Sequence, residues 1–400
     1  SPQISGATIS NNGSCGVCYT GTSSGTVTNS TLDGNVVGVQ IGDDAKPNVL
    51  DAVITNNTST GISIDGRSTA SIATTLIDAN PVGVQVGGEA APVLNDNTVT
   101  NSDGAGVVMI DTSAPRVISN LIEYNGEVGI QIGGSSSPVV ESNTISHHGV
   151  GVLAAQTAAP TLSSNGIAHH DIGIQIGGDA QAEVTENTIW VSSVAAISLT
   201  ESALGIVRDN SIADAPEVGI QAVGNSSAEI TGNTIESAGS IGISLIGNAS
   251  GTVATNQVSD RRIGVQVGGS AAPDITGNTV VRSVEVGITF ADASSGRATD
   301  NEVSGTGAVG VLVGGTATPD LQQNKLTGNA VGMVFTADAR GAASFNTVEF
   351  NSVGVQLVGQ SAPFVDGNRI ADNVDAGVVF AGASSARFER NTVLRNGEVA

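Results

Sequence analysis

Apolar and polar positions alternate in short bursts, and the bursts return every 22 or 23 residues along the whole 400-residue chain. The stretch from Gly129 to Gly149, GIQIGGSSSPVVESNTISHHG, shows the unit. A glycine opens an apolar-x-apolar strand, at Gly16, Gly38, Gly61 and onward to Gly377, with Ala196 in its place once. A small-residue turn follows, often closed by proline, as at Pro92, Pro138 and Pro319. Two further short alternating segments complete the unit, so each repeat predicts three strands joined by tight turns. No gap between strand signals offers the ten or so residues a helix needs. One unit therefore predicts one coil of a three-sided parallel β-helix, with right-handed winding expected from the crossover rule. About 17 such coils read as an all-β, single continuous solenoid over residues 1–400.

Asparagine gives the sharpest register. Asn97, Asn120, Asn143, Asn165 and their counterparts through Asn391 hold one position in fourteen successive units. Stacked at coil spacing, their amides form a ladder, and asparagine tolerates the left-handed geometry of a tight corner. A second row runs through Asn12, Asn35, Asn57 and Asn80, and returns at Asn125, Asn329, Asn351, Asn373 and Asn396. A two-coil period overlies the single one. Gln40, Gln85, Gln131 and Gln175 alternate with Ser63, Val108, Leu153 and Ser198 at an outward strand position. Module duplication accounts for the alternation, and a periodic docking surface is the functional alternative.

Composition narrows the partners. Aromatics are 2% and glycines number 53, which suits thin, closely stacked strands. The formal charge is −23, which repels phosphate backbones and anionic membranes, so no nucleic-acid partner and no membrane insertion are expected. No apolar run of about 18 residues is present to span a bilayer. Cys15 and Cys18, in NGSCGVCYTG, stand alone, and read as two incidental thiols or a local disulfide. The chain opens on Ser-Pro, and Gly397-Glu398-Val399 starts another coil, so it reads as a fragment of a longer array.

The pattern P-x-I-x-x-N-x-I-x-x-N-x-x-G-I-x-I, clear from Pro138 to Val152 and from Pro363 to Val378, resembles the right-handed parallel β-helix repeats of the pectate-lyase-like superfamily. The NosD-like and carbohydrate-binding/sugar-hydrolase repeats are the groups it resembles most. The resemblance covers the whole chain and implies the fold. It leaves function open, because similar repeats occur in lyases, hydrolases, epimerases, adhesins and surface rods. The calcium carboxylates of similar pectate lyases, and the catalytic motifs of similar polygalacturonases and alginate epimerases, have no counterpart in matching context. HHG at His147–Gly149 only echoes a polygalacturonase motif.

Chemistry is concentrated in a few places. All four histidines, His147, His148, His169 and His170, lie at equal positions of adjacent units. They are the candidate ligands for copper or zinc, a reading that the NosD-like resemblance raises. Alternation sends neighbours to opposite sides, however, and His148 and His170 fall in the second asparagine row. Carboxylates recur before the glycine-led strand (Glu127, Asp171, Glu217, Glu285, Asp375, Glu398) and after it (Asp65, Asp111, Glu201, Asp292, Asp338), rows that calcium could bridge. Arg261, Arg262 and Arg282, with Asp260 and Glu285, form a mixed-charge patch. Together with Trp190, read as outward-facing, these arginines are the candidate ligand contacts. The leading expectation is a non-catalytic solenoid of the extracellular space, cell surface or periplasm, of bacterial or archaeal type. It would serve as a rod, stalk or adhesion surface with weak glycan affinity, meeting polysaccharide or neighbouring solenoid and capping domains. The alternative is a polysaccharide-acting enzyme or a NosD-like metal-binding protein.

Overall fold

The computed structural model describes residues 1–237 and 239–397; Glu398 and Val399, where the sequence starts a further coil, lie outside the described residues. The chain divides into two compact units, residues 1–193 with 203–205, and residues 194–202 with 206–400. Each is a parallel β-solenoid, and no helix occurs among the described residues.

In the first unit a coil is made of strands such as Asn48–Leu50, Val53–Thr55 and Thr60–Ile64. Each pairs in parallel with its counterpart one repeat on, Val49 with Ile72, Ile54 with Ile77 and Ile62 with Val84. The second unit repeats the plan: Asp274–Thr276, Thr279–Val281 and Val286–Phe290 pair through Ile275 with Ala298, Val280 with Val303 and Ile288 with Val311. The middle residue of each three-residue strand named here faces inward. Val49, Ile54, Ile72 and Ile77 have no exposed surface, and each such side chain contributes roughly 1.5–3 kcal/mol by burial. Identical inward positions stack from coil to coil, so the core is a set of aliphatic columns.

The opening glycine of each strand is set by crowding. A Cβ at Gly61 would come 2.6 Å from the Gly83 carbonyl and 3.0 Å from the Asn80 amide nitrogen. The glycine column thus makes room for the second-row asparagine of the next coil. Ala196 breaks the column, and it does so where the following coil carries Ala215 in that slot and offers no amide to meet.

At one turn the left-handed residue is glycine in some coils and a polar residue in others: Gly88 (φ 60°) precedes Asp111 (φ 60°) and Gly269 (φ 67°) precedes Asp292 (φ 59°), whereas Gly224, Gly247 and Gly269 follow one another. The carboxylate reaches back one coil and accepts the backbone N–H of that glycine, Gly88 from Asp111 and Gly269 from Asp292, at 2.9 Å each. Asp43 does the same for Gly21 at 2.7 Å, and Gln156 for Gly134. Several carboxylates that follow the glycine-led strand are therefore turn caps. On the outward strand position the long glutamines cover their small neighbours. Ser198 is 1% exposed and accepts from Gln221 Nε2 at 2.9 Å. Near the start of the first unit, Cys15 and Cys18 are joined as a local disulfide.

Candidate functional site

Each coil has two corners at which a left-handed residue precedes a ladder residue. The first points outward and the second inward, as in exposed Asp96 (φ 54°) before buried Asn97, or Asn56 (φ 53°) before Asn57. The buried asparagine acts three ways. Asn143 takes the backbone N–H of Asn120 on its Oδ1 at 2.8 Å, and its Nδ2 donates to the Val117 carbonyl at 2.8 Å and to Asn165 Oδ1 at 3.0 Å. A closed corner in a dry core must pair these groups, since an unmade bond there costs about 1–3 kcal/mol.

The second row departs from asparagine in both units. In the first unit His148 and His170 occupy it, buried to 5% and 4% exposure, with rings stacked at 5.3 Å. His170 Nε2 lies 3.1 Å from the Ile145 carbonyl, and Nδ1 lies 3.2 Å from the His148 backbone nitrogen and 3.0 Å from its carbonyl. Only the neutral ring with its proton on Nε2 serves both the Ile145 carbonyl and the His148 N–H, the two duties of a ladder asparagine. His148 Nε2 accepts from Asn125 Nδ2 at 3.2 Å, while its Nδ1 has no partner. Burial, then repulsion from His170 and His147, pushes the His148 imidazole down to about 3. Burial lowers His170 as well, against the pull of the Ile145 and His148 carbonyls.

His147 (φ 64°) and His169 (φ 61°) are the outward corner residues of the same coils, and Tyr124 (φ 53°) holds that place one coil earlier. Their rings stack, Tyr124 on His147 at 4.3 Å and His147 on His169 at 4.7 Å. Tyr124 is 55% exposed. Val191 (φ 54°) continues the column, and beside it half-exposed Trp190 lies against Gly166, where a Cβ would meet the indole at 3.5 Å. The result is an exposed ridge of rings one coil apart. The structure does not bring the four histidines to one point: two face in and two face out. Among the described residues no group of three or more His, Cys, Asp and Glu is placed to hold a metal ion. Tyr124 was missed in the sequence, although its register, one residue before Asn125, is that of His147 and His169.

The arginine patch comes apart. Arg262 and Arg282 are at the surface, Arg262 paired with Glu285 at 2.9 Å and Arg282 gripping Asp260 through two bonds of 2.6–2.7 Å. The Arg282 bond holds the Asp260 carboxyl below its ordinary value. Arg261 is not a surface contact. It occupies the second ladder row and is fully buried, with its guanidinium donating to the Ala215 carbonyl and, at 2.9 Å, to that of Glu236. With Ala215 in the ladder slot two coils back, the long side chain fills space and bonds that asparagines fill elsewhere. Burial lowers its pKa, while Asp214 pulls the other way.

The family model described as "Right handed beta helix region" matches residues 1–91, 37–192 and 149–296, and that of "Periplasmic copper-binding protein (NosD)" matches residues 226–400. No curated protein matches the chain. Among solved structures, a mutant of the periplasmic alginate epimerase AlgG is 10% identical, with 79% of this chain and 78% of that one covered and a TM-score of 0.34. A mutant tailspike protein of E. coli bacteriophage HK620, solved with a hexasaccharide, is 13% identical over 91% and 73%, with a TM-score of 0.38. The catalytic domain of a GH87 α-1,3-glucanase, solved with nigerose, is 12% identical over 83% and 64%, with a TM-score of 0.36. Likeness at this level carries nothing about chemistry.

Proposed function

The chain belongs to the right-handed β-helix family, and from that premise we propose that it is a non-catalytic carbohydrate-binding or adhesion surface whose contact strip is the ridge of Tyr124, His147, His169 and Trp190. One observation carries this reading. In a chain with 2% aromatics, an exposed three-ring stack and the single tryptophan fall within four successive coils. Flat rings with polar edges suit the apolar faces and hydroxyl rims of sugars. Ring spacing near the coil rise of about 4.8 Å lets a linear polymer meet several rings along the axis. The ladder beneath fixes the corner backbone, so little entropy is lost on binding. The location proposed is periplasmic or cell-surface. The NosD-type match over residues 226–400 supports it, as does the Cys15–Cys18 disulfide, a bond typical of oxidising compartments.

The test is a glycan array followed by calorimetry at neutral pH on the whole chain. Binding should be lost about tenfold or more in Trp190→Ala and in Tyr124→Ala, as for contacts at the centre of an interface. Binding indifferent to both changes would refute the ridge. Release of new chain ends from a bound glycan would replace the non-catalytic reading with the enzymatic one.

A further inference from the structure

We propose that His148 is an acid-sensitive latch beneath the ridge: a proton added to its Nε2 sets an N–H against the Asn125 amide, opens the corner at that coil, and parts the Tyr124–His147–His169 stack. The proposal rests on the ridge as the binding surface and adds its regulation.

The geometry leaves the ring little choice. His148 Nε2 already accepts from Asn125 Nδ2 at 3.2 Å. Protonation turns this acceptor into a donor facing a donor. The second nitrogen offers no relief, because Nδ1 is buried without a partner. A proton on His170 Nδ1 would exchange the His148 N–H, at 3.2 Å, for the His148 carbonyl, at 3.0 Å, and the ring stacked 5.3 Å away would then repel a cation on His148. The titratable groups acting on the two rings are one another, His147 and His169. Glu123, Glu127 and Asp171, on the adjoining segments, are at the surface and bonded to neither ring; Asp171 instead takes the Ser193 hydroxyl at 2.7 Å. Inner and outer events are coupled by covalent adjacency. His147 and His148 are consecutive residues of the strand Thr144–Ala154, so a backbone opening at His148 carries His147 with it. The depressed basicity of His148 agrees with this arrangement.

Hydrogen exchange followed by mass spectrometry, corrected for intrinsic rates, tests the latch without any ligand. Opening of the segment 144–154 should rise roughly thirtyfold between pH 7 and pH 5, tenfold for each unit below about 6.5. His148→Asn restores a ladder amide and should abolish that rise. His148→Ser, a residue the slot already holds at Ser102 and Ser192, serves the same purpose should the first variant fold poorly. No acid response in the parent chain, or the same response in the variants, overturns the proposal. Glycan affinity in the parent should fall between pH 7 and pH 5 by the loss of closed fraction that the exchange data give, and not in His148→Asn; a fall of equal size in both overturns the gating. If no glycan binds at pH 7, the ridge reading fails, and the exchange data still decide the latch.

Discussion

The second ladder is interrupted in both units, and the two repairs obey different physics. In the first unit His148 and His170 are short, neutral rings, each placed one coil from the next. His170 copies asparagine by donating with one nitrogen and accepting with the other, His148 only accepts, from Asn125, and both depend on staying neutral. In the second unit Arg261 donates only. It spans the gap by length, reaching carbonyls of two earlier coils, and it keeps its charge at every pH a protein meets. A ladder slot thus requires paired backbone groups rather than an amide as such. One repair is conditional on pH and the other is not.

The sharpest break in this comparison is Arg261→Ala. Truncation would leave the Ala215 and Glu236 carbonyls unpaired beside a cavity, and we expect a loss of about 3–5 kcal/mol in the second unit, read from denaturant unfolding. A loss below about 1 kcal/mol would mean that water or the corner backbone replaces the guanidinium. Next in size is the acid response. The folded-state basicity of His148 lies below its unfolded value of about 6.5, so its stabilising contribution is complete above that pH. It is lost as pH falls from 6.5 toward 3, at up to about 1.4 kcal/mol per pH unit. Unfolding monitored between pH 7 and 4 should show this slope in the first unit, and His148→Asn should flatten it. An unchanged slope would assign acid sensitivity to carboxylates instead. The smallest effect should come from Arg262→Ala. This residue is next to Arg261 but paired only at the surface with Glu285, and its removal should shift stability by about 0.5 kcal/mol or less.

Most of the fold was legible because its determinants are local and repeated. The glycine opening each strand, the asparagine rows and the inward aliphatic positions all recur at one period, and each does the same job in every coil. The inward placement of His148 and His170 could be read from the same register. Arg261 was misread as a surface charge because two consecutive arginines suggest a solvated patch. Counting 22 residues back from Ser283 places it in the second row, but a buried guanidinium makes sense only once Ala215 is seen to leave the slot short. The carboxylates that follow the glycine-led strand, Asp111 and Asp292 among them, were visible, while their role at the turn was not. The bond from Asp111 to the Gly88 N–H joins residues 23 apart in sequence and exists only after the coils stack.

The left-handed corners divide labour between neighbouring letters of the sequence. At each corner one residue is committed to the ladder, and the residue before it answers only to a backbone angle. That outer place is filled by Asn, Asp, Ser, Tyr, His, Val, Phe and Arg across the molecule. It therefore behaves as a column of interchangeable pegs, written once per turn, on which new surfaces can be composed without rewriting the interior. The ridge of Tyr124, His147 and His169 is one such composition, and any three successive pegs elsewhere could be edited into another.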